Sequence, residues 1–275
     1  MSGTQSSKLT RTLIWLWTAT VLLFLYMPML AVVLASFSKQ RYFRFPITRY
    51  TTEWYGKTLE SLSVRDLLWT SLTVAALVTV FSVVLAFFGA LAFARYDWKG
   101  RKLYQKLVLL PIFFPQAVLG LALLLWFSAL GVITSWQTAV FAHMIWIVPI
   151  VILIMSIQAY SFDPALEEAA FDLGATRWQV LREVTLPILA PGIVSGAIFA
   201  FLLSWGNFPL SLFSTGADST VPEWLYAKMV SGYTPMVPTL GSLTMSAAAL
   251  LLLIVYLAWL ASSVRRKRHS APADS

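Results

Sequence analysis

Six long apolar runs constrain the fold of this 275-residue chain more than any other feature. Each is long enough to cross about 30 Å of hydrocarbon as an α-helix, whose backbone hydrogen bonds all close within the segment. Hydrophobic residues occupy 59% of the positions and charged residues only 12%, so an ordinary water-facing surface cannot be built. We therefore predict an all-α integral membrane protein with six transmembrane helices. The runs are Leu13–Phe37, Leu67–Ala94, Leu107–Leu130, Ala139–Tyr160, Ile188–Phe213 and Leu240–Val264.

The distribution of Lys and Arg predicts the orientation in the membrane. With the N-terminus inside, 13 of these residues fall in inner segments and 7 in outer ones, although the first outer segment, Ser38–Asp66, holds six of the seven. An excess of basic residues marks the cytoplasmic side. We expect residues 1–12 and the basic residues 265–275 to be cytoplasmic tails around a membrane domain of residues 13–264. The net charge of +8 then reflects topology, and no nucleic-acid partner is predicted.

The ends of the predicted spans raise three smaller expectations. The first run is too long for the apolar part of a signal peptide, so we expect it to be retained as a spanning helix. The aromatic and Arg side chains of Ser38–Asp66 fit either the membrane interface or a docking surface for an extracytoplasmic partner. In the last outer segment, Pro222 is placed to begin a short helix and Gly232 to end it.

Patterns for catalysis and metal binding are missing from the sequence. The chain has no cysteine, and His143 is the only histidine within a predicted span. Gly56-Lys57-Thr58 resembles the end of a phosphate-binding loop, but Thr51 stands where the first glycine belongs. We therefore predict no catalytic residue, no metal site and no enzyme activity in this chain.

Polar side chains within the predicted spans are few and neutral. They are chiefly Gln116, His143, Gln158, Ser204 and Asn207, and no Asp or Glu lies in any of the six runs. Carriers driven by a bound proton or sodium ion usually need such carboxylates, which argues against that class. A neutral polar group in lipid must face another helix or a watery path, and either role is open for each residue. Our candidates for lining a path are Gln116, Ser204, Trp205 and Asn207.

The polar segment Ser161–Pro187, between the fourth and fifth runs, begins with a helix signal. Asp163 is suited to cap a helix and Pro164 to occupy its first position. Gly174 can adopt the left-handed conformation that ends a helix. We predict a short helix between these signals, with small Ala169 and Ala170 allowing a partner to approach closely.

A second helix signal follows directly. Thr176 and Gln179 have the spacing of a capping box, in which each side chain bonds the other's backbone N–H. We predict a second short helix through Val184, and expect Leu186-Pro187 to turn the chain into the fifth span. Leu173, Trp178 and Leu181 would give this helix pair an apolar contact face.

The charge of this segment predicts its partner. An amphipathic pair resting on lipid headgroups would carry excess Lys and Arg, whereas Ser161–Pro187 holds five acidic residues and two basic ones. Net negative charge opposes binding to an anionic leaflet. We therefore expect the helix pair to contact a soluble protein.

The same segment resembles the membrane subunits of bacterial ABC importers. Their EAA motif reads E-A-A, three residues, G, nine residues, I-x-L-P. The chain has Glu168-Ala169-Ala170, then Gly174, Val184 in place of isoleucine, and Leu186-Pro187. The likeness extends over about Trp69–Ser246, and is strongest to permeases of the spermidine/putrescine class.

The resemblance implies a cytoplasmic pair of coupling helices, between the fourth and fifth transmembrane helices, that sits in a groove of an ATP-hydrolysing subunit. It implies as partners a second permease subunit, two ATPase subunits, an extracytoplasmic solute-binding protein and a small-molecule solute, in the bilayer of the bacterial inner membrane. ATP and Mg would belong to the ATPases, with no cofactor in this chain. The residues expected to serve coupling are Glu167, Glu168, Ala169, Ala170, Asp172, Gly174, Arg177, Leu186 and Pro187.

Two departures from the spermidine/putrescine class concern the solute. Those permeases usually have Pro-Glu where this chain has Pro115-Gln116, and a pair of acids where it has Gly206-Asn207. Carboxylates suit a cationic amine, and their loss favours a less charged or zwitterionic solute. We therefore expect a polyamine or a related small amine or zwitterionic compound, with an amino acid or opine-like solute as an alternative. A self-contained channel, a secondary carrier and a scaffold that anchors a soluble enzyme also remain open.

Overall fold

The computed structural model describes residues 8–40, 42 and 44–269, and their secondary structure is almost entirely helical. Residues 1–7 and 270–275 of the two predicted tails lie outside the described residues. Residues 8–12 and 265–269 of these tails are helical and are continuous with the first and last helices. The helices of the first half are α1 (Lys8–Ser36), α2 (Glu53–Glu60), α3 (Leu62–Ala90), α4 (Arg101–Leu109), α5 (Gln116–Ala129) and α6 (Trp136–Ser161). Those of the second half are α7 (Ala165–Asp172), α8 (Arg177–Gln179), α9 (Leu186–Trp205), α10 (Phe208–Ser214), α11 (Val221–Ser231) and α12 (Met236–His269).

Several helices are extended or joined by 3₁₀-helical or π-helical turns into longer helical segments, which we call rods. The π-helical turns Leu91–Arg95 and Val180–Thr185 extend α3 and connect α8 to α9. By length and composition, five rods could cross a membrane, and the bent pair Arg101–Phe113 and Gln116–Ala129 makes a sixth if it counts as one span. The five are Lys8–Ser36, Leu62–Arg95, Trp136–Ser161, Arg177–Trp205 and Met236–Leu260.

The third predicted span, Leu107–Leu130, is not one helix. The chain bends by 99° between Phe113 and Gln116. Pro111 and Pro115 cause this break, because neither can donate a helical hydrogen bond and the residue before a proline is pushed out of helical geometry. Phe114, which precedes Pro115, accordingly has extended backbone angles of −80° and 134°.

The fifth predicted span, Ile188–Phe213, is also interrupted. Helix α9 ends at Trp205, and α10 begins after the break at Gly206-Asn207. Asn207 caps α10, because its side-chain oxygen accepts a 3.1 Å hydrogen bond from the backbone N–H of Leu210. The predicted path residue Asn207 is therefore buried and used within the chain.

A polar network lies beside this break. The two ring nitrogens of His143, on α6, lie 2.9 Å from the hydroxyl of Ser204 and 3.1 Å from that of Ser211. Ser211 in turn donates a 2.6 Å hydrogen bond to the carbonyl of Asn207. The network satisfies buried polar groups where the helix is broken, as lipid surroundings require.

The chain divides into two compact units, Arg65–Tyr226 and the pair Met1–Val64 with Ala227–Ser275. The core of Arg65–Tyr226 is formed by α3, α6 and α9. Helices α6 and α9 approach closely at Gly192 and Gly196. A Cβ on Gly196 would lie 2.9 Å from Cγ1 of Val151, and one on Gly192 would lie 3.1 Å from Cβ of Gln158. Small residues four positions apart permit this spacing, as is common between membrane helices.

The other unit contains α1, α2 and α12. The Tyr55 hydroxyl, on α2, lies 2.6 Å from the Ser36 hydroxyl at the end of α1 and 3.3 Å from Ser242 on α12. Tyr55 also packs on Phe37, with ring centroids 5.3 Å apart. One predicted outer segment, Ser38–Asp66, thus contributes an aromatic anchor to this unit.

The predicted short helix in the last outer segment is confirmed as α11, with Pro222 in its first turn and Gly232 directly after its end at a φ of +151°. Glu223 holds the start of this helix, because its carboxylate accepts hydrogen bonds from the Thr215 hydroxyl at 2.7 Å and from the Thr220 N–H at 3.4 Å. Burial raises the pKa of Glu223 above its ordinary value.

The cap at Asn207 can be tested by substitution. Asn207→Ala removes the acceptor for the Leu210 N–H, which should cost about 1 kcal/mol and lower the melting temperature of the purified chain by about 2–4 °C. Asn207→Ser keeps a capping oxygen and is the matched control. Equal melting temperatures for the two variants would contradict the capping role.

Candidate functional site

The candidate site is the segment between α6 and α9, which holds the predicted coupling residues. Its first helix forms as the sequence predicts: an oxygen of Asp163 accepts the Ala165 N–H at 3.0 Å, and α7 ends before Gly174. Gly174 has a φ of +85°, the left-handed conformation that glycine adopts without strain. The Gly174 and Ala175 N–H groups bond back to Phe171 and Ala170 at 2.9 and 3.0 Å. Both predicted end signals of this helix are confirmed.

The second predicted helix is only partly confirmed. The Thr176–Gln179 capping box is present, with the Thr176 N–H donating to the Gln179 side chain at 2.8 Å and the Gln179 N–H donating to the Thr176 hydroxyl at 3.4 Å. However, the helix does not stop near Val184, and Leu186-Pro187 does not turn the chain. One continuous rod runs from Arg177 to Trp205.

The wide turn Val180–Thr185 explains how the helix passes Pro187. A proline ring normally clashes with the carbonyl four residues earlier and leaves it without a donor. In the π-helical turn the bonds shift by one residue, so that the Leu186 N–H bonds to Leu181. The backbone is rearranged just before the proline, and the rod continues without a sharp break. Leu181 and Leu186 are half-buried and pack against the core cluster.

Glu167 points into the protein and joins three parts of the unit. One carboxylate oxygen pairs with Arg95 Nη2 at 2.8 Å, and the other accepts a 2.6 Å hydrogen bond from the Thr185 hydroxyl. The side chains of Arg95 and Glu167 are only 10% and 15% exposed. The Arg95 guanidinium also stacks over the Phe162 ring, 4.4 Å from its centroid. Sequence reasoning placed Glu167 in the site but did not find Arg95 or Thr185 as its partners.

Most of the other predicted coupling residues in α7 and the turn after it are exposed. Glu168, Ala169, Asp172, Gly174 and Arg177 are exposed, and Ala170 is half-buried. Large apolar side chains accompany them, with Leu173 at 90% and Trp178 at 67% exposed, together with Leu166 and Phe171. Such a patch on a short polar helix is typical of a protein interface. The exposed apolar patch thus includes Leu166 and Phe171, which the sequence interpretation missed, whereas Leu181 is half-buried.

A cavity of about 640 Å³ lies beside α7. It is lined by Tyr96, Glu167, Phe171, Arg177, Val180, Leu181 and Thr185. None of the eight residues of α7 is buried. Among the side chains of α7, Glu167 makes the polar contacts with the rest of the unit, and the outer face of the helix is exposed.

The predicted path residues lie in different settings. Ser204 and Asn207 are buried in the network beside the α9–α10 break. Trp205 is half-buried and stacks on Phe201, with ring centroids 5.8 Å apart. Gln116 is half-buried at the first position of α5, directly after the 99° bend. All four stand at or next to interruptions of apolar helices, where irregular backbone must be bonded within protein or line a watery cavity.

Comparison with curated proteins reveals permeases similar to this chain over most of its length. The putrescine transport system permease protein PotI of Escherichia coli (strain K12) is 29% identical over 255 residues, covering 88% of this chain and 89% of PotI. The spermidine/putrescine transport system permease protein PotC of that strain is 28% identical over 221 residues, covering 80% and 83%. The diacetylchitobiose uptake system permease protein DasC of Streptomyces coelicolor is 31% identical over 198 residues, covering 70% and 72%.

Solved structures and a family model agree with these similarities. A chain of a bacterial ABC transporter that imports the acidic polysaccharide alginate has a TM-score of 0.69 at 19% identity, covering 90% of this chain and 93% of that one. A chain of the MetNI methionine ABC transporter has a TM-score of 0.55 at 19% identity, covering 72% and 95%. Both likenesses concern the fold. Residues 79–269 match the family model described as binding-protein-dependent transport system inner membrane component, and the chain belongs to this family.

Proposed function

We propose that this chain is a permease subunit of an ATP-driven importer and that it forms the solute path together with a second permease chain. Two ATPase subunits and an extracytoplasmic binding protein complete the assembly. The main support for the proposal is the exposed helix α7 with the turn after it, where Glu168-Ala169-Ala170 and Gly174 have the EAA spacing and large apolar side chains are exposed. ATP and Mg act in the ATPase subunits, so this chain supplies the path and the mechanical connection.

The docking face consists of the exposed residues of α7 and the turn after it. Glu168, Asp172 and Arg177 offer charged hydrogen-bonding groups around an apolar centre of Leu173 and Trp178. Ala169 and Ala170 have small side chains, so that the walls of a groove in the ATPase can approach the helix backbone closely. Gly174 fixes the angle at which the chain leaves α7, and Leu186 and Pro187 fix the start of the spanning rod behind it.

We propose six crossings, with the bent pair as one of them. The Arg95–Glu167 ion pair supports this count, because it brings the end of the α3 rod next to the residues that follow α6. Helix α6 is 26 residues long, about 39 Å at 1.5 Å per residue, so its start lies at the opposite face. A chain that leaves one face after Arg95 and begins α6 at the other must cross in between. The excess of Lys and Arg supports a cytoplasmic location for the Arg95 face and, independently of it, for both termini.

Cysteine labelling tests this topology, because the chain has no cysteine of its own. Lys99→Cys and Leu173→Cys should react with a membrane-impermeant maleimide only when the cytoplasmic face is open. Ile133→Cys, at a position 88% exposed between α5 and α6, should react from the outside of intact cells. Labelling of all three positions from one side would contradict the six-crossing arrangement.

The solute is proposed to be a polyamine or a related small amine or zwitterion. The similarity to permeases named for putrescine and spermidine supports this class. The neutral Gln116 and Asn207 favour a less strongly cationic member, because a path without carboxylates offers no counter-charge. The proposed contacts with the solute are Gln116 and Trp205. Ser204 and Asn207 are proposed to support the wall of the path through the hydrogen-bonded network around His143.

The solute class is tested on the partner binding protein. Its melting temperature should rise with putrescine, spermidine or a related zwitterion, by an amount that grows with ligand concentration. Amino acids and opine-like compounds form the comparison set. Stabilisation by a member of that set alone would overturn the polyamine assignment while leaving the importer assignment intact.

ATP coupling is tested with the double variant Glu168→Gln, Gly174→Ala in the complete transporter. ATP-driven uptake should fall at least about tenfold, because the docking contact is lost and alanine is strained at a positive φ. Solute capture by the binding protein should not change. Gly56→Ala is the matched control, since a Cβ at either glycine meets open space but Gly56 lies in an ordinary helical turn.

Two results would contradict the importer assignment. One is uptake by the double variant equal to that of Gly56→Ala. The other is solute flux into vesicles that contain this chain alone, without ATP, which would indicate a channel or secondary carrier.

A further inference from the structure

The attachment of α7 to the rest of its unit is unusually polar for a helix beside a membrane. The helix has no buried residue and borders a cavity of about 640 Å³, so apolar packing contributes little to its position. Its one inward-facing charged side chain is Glu167, whose carboxylate is engaged by Arg95 and Thr185. This carboxylate is therefore the side-chain contact through which a movement of α7 can reach two spanning rods, in addition to the backbone on either side of the helix.

The two partners of Glu167 belong to two different spanning rods. Arg95 is the last residue of the α3 rod, and Thr185 is the last residue of the π-helical turn that leads into α9. The contacts, at 2.8 and 2.6 Å, are short, and hydrogen bonds to a charged carboxylate are about twice as strong as neutral ones. Phe162 holds the guanidinium of Arg95 from the other side.

We infer that Glu167 is a positioning residue that transmits the movement of α7 to the α3 and α9 rods through Arg95 and Thr185. The inference deepens the proposed function and rests on it. Glu167 does not dock to the ATPase, because it is largely buried and both of its oxygens are used within the chain. Docking belongs to the exposed face of α7, and transmission belongs to this carboxylate.

The location of Thr185 gives the link to α9 a physical basis. A π-helical turn departs from the ordinary hydrogen-bond pattern of a helix and is one of the places where helices bend. Thr185 is also 3.4 Å from the Val180 carbonyl within the same turn. Its hydroxyl therefore connects Glu167 to the one segment of the rod that is already rearranged.

Thr185→Val tests the link most cleanly in the complete transporter reconstituted in proteoliposomes. Valine has nearly the same shape as threonine, so the buried site stays filled while the hydrogen bond is lost. We expect the ATPase to co-purify as with the unsubstituted chain and to hydrolyse ATP at the same rate. Solute moved per ATP hydrolysed should fall about tenfold, as expected for loss of a hydrogen bond to a charged group. Thr185→Ser keeps the hydroxyl and should restore the ratio.

Glu167→Gln tests the other arm. The amide can still accept from Thr185, but it loses the ion pair and leaves the charge of Arg95 without its partner. Solute moved per ATP should fall further than in Thr185→Val, with the ATPase still bound. Glu183→Gln, an exposed carboxylate two residues before Thr185, is the matched control and should behave as the unsubstituted chain. Combining Thr185→Val with Glu167→Gln should lower the ratio below that of either single variant, because both contacts of Glu167 are then lost.

The outcomes separate this inference from the proposed function. If Thr185→Val, purified with the yield and melting temperature of Thr185→Ser, moves as much solute per ATP as Thr185→Ser does, Glu167 does not transmit movement to α9. If Glu167→Gln loses the ATPase during purification, Glu167 is a docking residue and the inference is overturned. If the unsubstituted transporter shows no ATP-driven uptake at all, the importer assignment itself fails.

Discussion

Every backbone N–H and C=O group in hydrocarbon must find a partner within the chain, and the architecture depends on this constraint. Where helices run unbroken they satisfy it alone. Where prolines interrupt them, as at Pro111 and Pro115, the chain bends sharply. At Gly206-Asn207 the interruption is repaired by the Asn207 cap and by the serines around His143. The same constraint concentrates polar side chains at the breaks, which is where a solute could be met.

The constraint also bears on the segment between α6 and α9, which holds the proposed coupling residues. Helix α7 is too short to span a membrane, and it exposes apolar residues on its outer face. It is held by a carboxylate that reaches two spanning rods. The outer face and the inner contact of α7 thus have different surroundings, although their residues are neighbours in one motif. Glu167 and Glu168 are neighbours in sequence and face opposite surroundings.

Local signals were sufficient for much of this site. The caps at Asp163, Gly174 and Thr176 depend on residues a few positions apart, and sequence alone identifies them. The Arg95–Glu167 pair joins residues 72 positions apart, and no local sequence pattern predicts it. The passage of the rod through Pro187 depends on a π-helical turn, which has no sequence signature as clear as a cap. Averaged hydropathy also could not predict the helix breaks in the third and fifth runs, because apolar residues continue on both sides of each break.

Cross-linking from the outer face of α7 tests the central claim most directly. A photoreactive amino acid at Leu173, which is 90% exposed, should form a covalent product with the ATPase subunit in the assembled transporter. The same group at Ile133, between α5 and α6, should form no such product. Reaction at Leu173 with lipid alone, and none with the ATPase, would contradict the account of α7 as the element that receives the movement driven by ATP.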